Sequence, residues 1–115
     1  MKTIIAGSRT VPDYSIVEEA IMESGFVITE VVSGTCRGPD KWGEVWARKR
    51  GIPIKCFEPE WQLKGRAAGI LRNEEMGDYA DALIAVWDGV SRGTKHMIDY
   101  ARKKGLKVFI WQRDQ

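Results

Sequence analysis

The chain has little of what would announce a metal site, a disulfide scaffold or a membrane protein. It carries one histidine and two cysteines in 115 residues. Cys36 and Cys56 have none of the C-x-x-C or histidine-paired spacings that bind zinc, so reduced thiols are expected and neither a metal nor any other cofactor is. No apolar run approaches the ~20 residues of a membrane span. The opening MKTIIAGSRT breaks at a glycine too early for a signal-peptide core, which predicts a cytoplasmic protein without a membrane partner. An excess of one charge is also missing. Eighteen Lys and Arg stand against 16 Asp and Glu, a formal net charge of +2, and the two signs are interspersed. A dedicated duplex-binding protein carries a basic stripe, so nucleic acid is not the expected partner. Two glycine signatures are absent as well: the first loop lacks G-x-G-x-x-G, and no G-x-x-x-x-G-K-[ST] occurs. Standard dehydrogenase or NTPase chemistry is not expected.

What is present is an ordinary globular composition, 43% apolar and 30% charged, at a length that suits one domain over residues 1–115. Short Ile/Val-rich runs alternate with segments of helical periodicity, the pattern of repeated βα units around a parallel sheet. The expected fold is a Rossmann-like three-layer α/β/α sandwich with five parallel strands and four main helices. Strands are expected at 3–6, 30–33, 52–57, 82–86 and 107–111. Residues 82–86 are the most uniformly apolar and read as the central strand. Helices are expected at 13–24, from Trp42 to about Lys49, through Leu71 and Met76 to Tyr79, and from Ser91–Thr94 to Gly105. Trp42, Val45 and Trp46 share one face of the second. EPEWQLKGRAAG is the one long connection, and the final QRDQ reads as a polar end.

In open parallel sheets ligands settle beyond the carboxyl ends of the strands, where successive connections diverge. Those ends hold Gly7-Ser8-Arg9, the stretch Ser33 to Asp40, and Trp87 to Thr94. Glycine lets backbone N–H groups approach an anion, hydroxyls add donors, arginine supplies a planar fork and the next helix presents its positive end. Phosphate suits that set. Taken singly, each loop is better explained by tight turns and helix caps; three on one edge favour a site.

The segments AGSR at 6–9, VVSGTCRGPDKWGEVWA at 31–47, AAGILRNEEMGDYADALIAVWDG at 67–89 and SRGTKHMIDYA at 91–101 resemble the SLOG superfamily, in its small YspA-like branch. That superfamily includes the LOG phosphoribohydrolases and the Rossmann-like domain of the DprA recombination mediator. The resemblance implies a nucleotide-ligand pocket and places Ser33, Gly34, Arg37, Gly38 and Asp40 at it. Arg72 with Asn73 is similar to the LOG arginine region, and Ser91, Arg92, Gly93 and Thr94 are similar to the end of its G-G-x-G-T-x-x-E motif. The glutamate of that motif falls on Met97, which can neither stabilise an oxocarbenium ion nor move a proton. The expected function is therefore binding of a nucleotide or ADP-ribose-like molecule as sensor, carrier or sequestering protein.

Two alternatives stay open. One is a nucleotide-directed hydrolase using Asp40, Glu74 or Asp88 with Arg72, because carboxylates in a half-buried pocket can be tuned for acid or base work. The other is a DprA-like binder of single strands, against which the modest charge stands. Homo-oligomers are expected, since SLOG relatives commonly pair.

Single residues complete the expectations. Arg9, Arg37, Arg72 and Arg92 are expected to converge, with at least two touching the ligand. Asp88 and Asp40 are candidates for ribose hydroxyls. Trp87 is the aromatic expected to contact a base, and Trp61 reads as a lid or a subunit contact. His96 reads as a solvated or cap-proximal side chain, and Cys36 as a small packing residue.

Overall fold

The computed structural model describes residues 1–112, so of the QRDQ end only Gln112 is described. The strands are β1 (Lys2–Gly7), β2 (Glu30–Ser33), β3 (Ile54–Cys56), β4 (Ala82–Trp87) and β5 (Lys107–Gln112). They form one all-parallel sheet in the order β3-β2-β1-β4-β5. The helices are α1 (Tyr14–Ser24), α2 (Pro39–Lys49), α3 (Trp61–Lys64), α4 (Ala68–Tyr79) and α5 (Arg92–Lys103). This is the α/β, Rossmann-like arrangement the alternating pattern predicts, with four long helices and one helical turn besides.

Side-chain alternation assigns the two faces of the sheet. Ile4, Val32, Leu83 and Ala85 point to one side, where they pack on Met76 of α4 and on Met97, Ile98 and Ala101 of α5. Ile5, Val31, Ile84 and Val86 point to the other, against Val17, Ala20 and Ile21 of α1 and Trp46 and Ala47 of α2. Helices on both faces explain why β1 and β4 are continuous apolar runs rather than alternating ones.

Three expectations are corrected. The middle strand is β1, while β4 is internal between β1 and β5; apolar content marks burial on both faces, which the two strands share. Strand β3 spans three residues rather than six. Pro53 has no N–H for the ladder, yet its carbonyl accepts the Val31 N–H (2.9 Å) and Phe57 N–H reaches Ser33 O (2.8 Å), so pairing continues at both ends. The buried surface of α2 is made by Pro39, Asp40, Gly43, Glu44, Trp46 and Ala47, with Trp42 and Val45 only half-buried. Gly43 sets this: a Cβ there would lie 2.8 Å from Ile5 Cβ, so the helix approaches β1 through a residue without a side chain.

The long connection has local helical structure. It holds the single turn α3 and a 3-10 turn, Gly65–Ala67, leading into α4. No helix among the described residues is long and apolar enough to cross a membrane.

Candidate functional site

Between β1 and β4 the chain order reverses: connections leave β1 toward β2 and β4 toward β5. That divergence opens a crevice at the carboxyl ends of the two strands. A cavity of about 540 Å³ occupies it, within the range of small-molecule sites.

The turn after β4 is built around Asp88. Its Oδ1 accepts the N–H groups of Val90 (2.9 Å) and Ser91 (2.8 Å), and its Oδ2 accepts the Thr10 hydroxyl (2.9 Å). Its own N–H donates to Ser8 Oγ (3.0 Å), which ties the β1 loop to the β4 loop. Burial pushes this carboxyl upward, but the donors from Val90, Ser91, Thr10 and Ser8 outweigh it and hold the pKa at about 2. Asp88 is thus a permanent anion that shapes the turn, and its acceptor sites are largely spent within the protein.

The helix that follows, α5, starts at an N-cap, Ser91, which makes no side-chain cap bond. Ser91 Oγ pairs instead with Thr94 Oγ1 (3.2 Å). Its first-turn N–H groups are left without an intrahelical acceptor, as at any helix start, and Ser91, Arg92, Gly93 and Thr94 all line the cavity. Arg9 faces them from the β1 loop. Among the described residues neither Arg9 nor Arg92 enters an ion pair.

The opposite side is the loop from Ser33 to Gly38, and a set of buried polar groups holds it. Thr35 adopts φ 65°, a left-handed conformation that costs a β-branched residue energy. Ser33 Oγ accepts the Thr35 N–H (3.1 Å) and donates to Glu44 Oε2 (2.5 Å). Arg72 Nη1 donates to the Gly34 carbonyl and sits 3.6 Å from Cys36 Sγ, while its Nε donates to Asn73 Oδ1 (3.0 Å). Asn73 Nδ2 in turn bonds Gly93 O and His96 Nδ1, both at 3.2 Å. A chain of hydrogen bonds therefore runs from the β2 loop to the start of α5.

Asp40 lies under this loop, 4% exposed. Desolvation raises its pKa to about 6, against the lowering pull of Arg72 and of the Cys36 and Gly7 N–H groups; Glu44 adds to the rise. Gly7 and Gly34 make the crowding possible. A Cβ on Gly7 would collide with the Val86 carbonyl oxygen, and one on Gly34 would lie 2.7 Å from Arg72 Nη1 and 2.8 Å from Asp40 Oδ2.

Of the residues singled out from sequence, Gly7, Arg9, Asp40, Arg72 and Asn73 line the cavity, as do Asp88 and the run Ser91 to Thr94. Others sit one layer behind. Ser8 and Ser33 are buried braces, Gly34 offers its carbonyl to Arg72, and Gly38 caps α2 at φ 86°. Arg37 is exposed on the loop and does not join the other three arginines at the cavity. Trp87 turns away as well: it packs on the α4–α5 core, and its Nε1 donates to Ser91 O (3.1 Å). Glu74 stands outside the lining, with Oε2 3.9 Å from His96 Nε2.

His96, expected to be a cap-proximal or solvated side chain, is part of the cavity wall, and so are Cys36, Trp61 and Met97. Residues that sequence reasoning missed include Thr10, Gly69 and Ile70. Thr10 adjoins Arg9 and was within reach of a loop argument. Gly69 and Ile70 carry no polar signature and are brought in by the start of α4. Glu44, buried at 3% exposure beneath Ser33, was hidden inside an amphipathic helix pattern.

A model of the YAcAr family, described as the YspA, cpYpsA-related SLOG family, matches residues 1–63. The chain belongs to this family. The matched segment carries the β1 and β2 loops of the cavity. A relative extends the likeness further: the Gene 61 protein of Mycobacterium phage D29 is 34% identical over 119 residues, covering 93% of each chain. The uncharacterized SPbeta prophage-derived protein YoqJ of Bacillus subtilis is 42% identical over 41 residues, 36% of this chain and 24% of its own length. Membership of the SLOG family is consistent with a nucleotide-related function.

Proposed function

We propose that the cavity binds a nucleotide-derived molecule by its phosphate, which lodges at the start of α5 between Arg9 and Arg92. One observation carries the reading. An uncapped twelve-residue helix opens its N-terminus, with the Ser91 and Thr94 hydroxyls, onto a cavity whose rim holds two arginines outside any described ion pair. Helix dipole, backbone donors and guanidinium forks all favour an anion there, and tetrahedral phosphate uses the most donors at once. Binding without turnover is the simpler role. By the resemblance to the LOG motif Met97 falls where its glutamate would be, and Asp88 is ionised and committed to its turn.

Calorimetric titration with a panel of nucleoside 5′-monophosphates and ADP-ribose tests this. The Arg92→Ala variant is expected to weaken the bound phosphate ligand on the order of tenfold, the worth of a charge-assisted hydrogen bond, and more at lower salt. Equal affinity in wild type and in Arg9→Ala and Arg92→Ala variants, or no binding across the panel, removes the reading.

A second reading, hydrolysis of the ligand, is favoured by Asp40, a buried acid on the cavity wall with a pKa of about 6 beside Arg72. Groups of that kind serve as acid or base near neutrality. Release of free base or phosphate, abolished by Asp40→Asn, is the result that supports it.

A further inference from the structure

The cavity is polar along the β4–α5 turn, but much of its far wall is apolar and open. Trp61, at the start of α3, is 54% exposed, and Ile70 in the first turn of α4 is 50% exposed, yet both line the cavity. Exposed apolar surface rimmed by polar residues is a common feature of ligand-binding grooves. The indole leans on α4 at a residue without a side chain: its Cη2 lies 3.5 Å from where a Cβ of Gly69 would stand. No aromatic ring pairs with Trp61 and no cation sits over it among the described residues. Leu63, more exposed still, does not line the cavity, so among the described residues the exposed large apolar side chains on its wall are Trp61 and Ile70, beside the buried Met76 and Met97.

Trp61 also borders a second, adjoining cavity of about 310 Å³, which it shares with Arg9 and Cys36. The indole therefore stands at the junction of the two hollows. Trp87, the aromatic that its place at the end of β4 suggests, is unsuited to contacting a ligand because its Nε1 is bonded to Ser91 O and its half-buried ring packs against the core outside the cavity lining.

We propose that Trp61 is the seat of a planar nucleobase, so that the ligand of this cavity is a nucleotide held by its base on the indole and by its phosphate at α5. The inference rests on the phosphate reading and adds the other end of the molecule. A base offers what this wall lacks: a flat apolar face that stacks on the ring and removes it from water, with Ile70 beside it. Stacking is tolerant of base identity because every base has a π-face, so Trp61 selects for the presence of a base more than for its kind.

The test is calorimetry with three classes of probe on wild type, Trp61→Ala and Trp61→Phe. The probes are ribose 5-phosphate, the four ribonucleosides, and their 5′-monophosphates. At least one monophosphate is expected to bind wild type on the order of tenfold or more tighter than ribose 5-phosphate. Trp61→Ala is expected to erase that margin while leaving ribose 5-phosphate affinity within about twofold, and Trp61→Phe to keep most of it. Tryptophan emission should be quenched by the monophosphate in wild type and much less so in Trp61→Phe.

The base seat is overturned if the margin survives Trp61→Ala, or if that variant weakens ribose 5-phosphate equally. A change only in the oligomeric state of Trp61→Ala would assign the indole to a subunit contact and overturn it too. The two readings fail separately. Ribose 5-phosphate binding without a base-dependent margin leaves the phosphate site standing and removes the base seat. Trp61-dependent nucleoside binding without ribose 5-phosphate binding does the reverse. No binding by any probe removes both.

Discussion

Three carboxylates near the cavity look alike in sequence and are set to different tasks by their surroundings. Asp88 receives two backbone donors and a hydroxyl and is held at about 2, Asp40 is stripped of water and raised to about 6, and Glu44 takes the Ser33 hydroxyl in the interior. The first two leave opposite marks on stability. For Asp40 the folded pKa lies above the ordinary value of 3.8, so its contribution is whole below about pH 4 and is lost as pH rises through about 6. For Asp88 the folded pKa lies below 3.8, so its contribution is present above that value and is lost as pH falls toward 2. The Asp40→Asn variant is expected to abolish the decline between pH 4 and pH 6, a difference on the order of 2–3 kcal/mol at neutral pH. Urea unfolding of both proteins at pH 4.5 and 7.5 measures it, and parallel profiles would refute it.

Residue identity also marks the limit of what the sequence made legible. Glycine, serine and arginine after strands point to the rim, and Arg9, Arg92, Gly93 and Thr94 are found there. Arg37, an arginine in one of the same loops, and Trp87, the aromatic at the end of β4, stay outside the lining, because side-chain direction depends on tertiary contacts that linear spacing does not encode. Arg72 lines the cavity, but much of its hydrogen bonding goes to Gly34 and Asn73, a bracing role that only the folded chain discloses.

At the scale of elements, the site is the product of close approach between backbones. Helix α2 comes down on β1 at Gly43, and Gly7 lets its first turn and the β4 carbonyls crowd the end of β1. The β2 loop then folds back under Arg72. Gly34→Ala puts a methyl within 2.8 Å of both Arg72 Nη1 and Asp40 Oδ2, two groups fixed by burial and hydrogen bonds. The variant is expected to lose about 1–3 kcal/mol, the usual cost of overpacking. Chemical denaturation reads the loss, and an unchanged midpoint would mean that the loop is not held as described. Short periodic elements were legible because burial writes its period into the sequence. The α3 turn was not, since four residues within a polar, glycine-bearing connection carry too little pattern to stand out.

At the scale of the molecule, alternating strands and helices foretell a parallel sheet, and the order β3-β2-β1-β4-β5 then determines where a crevice must open. The ends of β1 and β4 are adjacent while their connections part, so Arg9 and the α5 N-terminus face one another although they are more than eighty residues apart in the chain. Phosphate binding as proposed depends on that juxtaposition. Amide chemical shifts of the labelled protein, followed during titration with nucleoside 5′-monophosphates, test it most directly. The largest movements are expected on Arg92, Gly93 and Thr94, with smaller ones on Arg9 and Thr10 and none on the α1 face. Movements centred on α1 or β3, or a spectrum that stays unchanged at millimolar ligand, would contradict it.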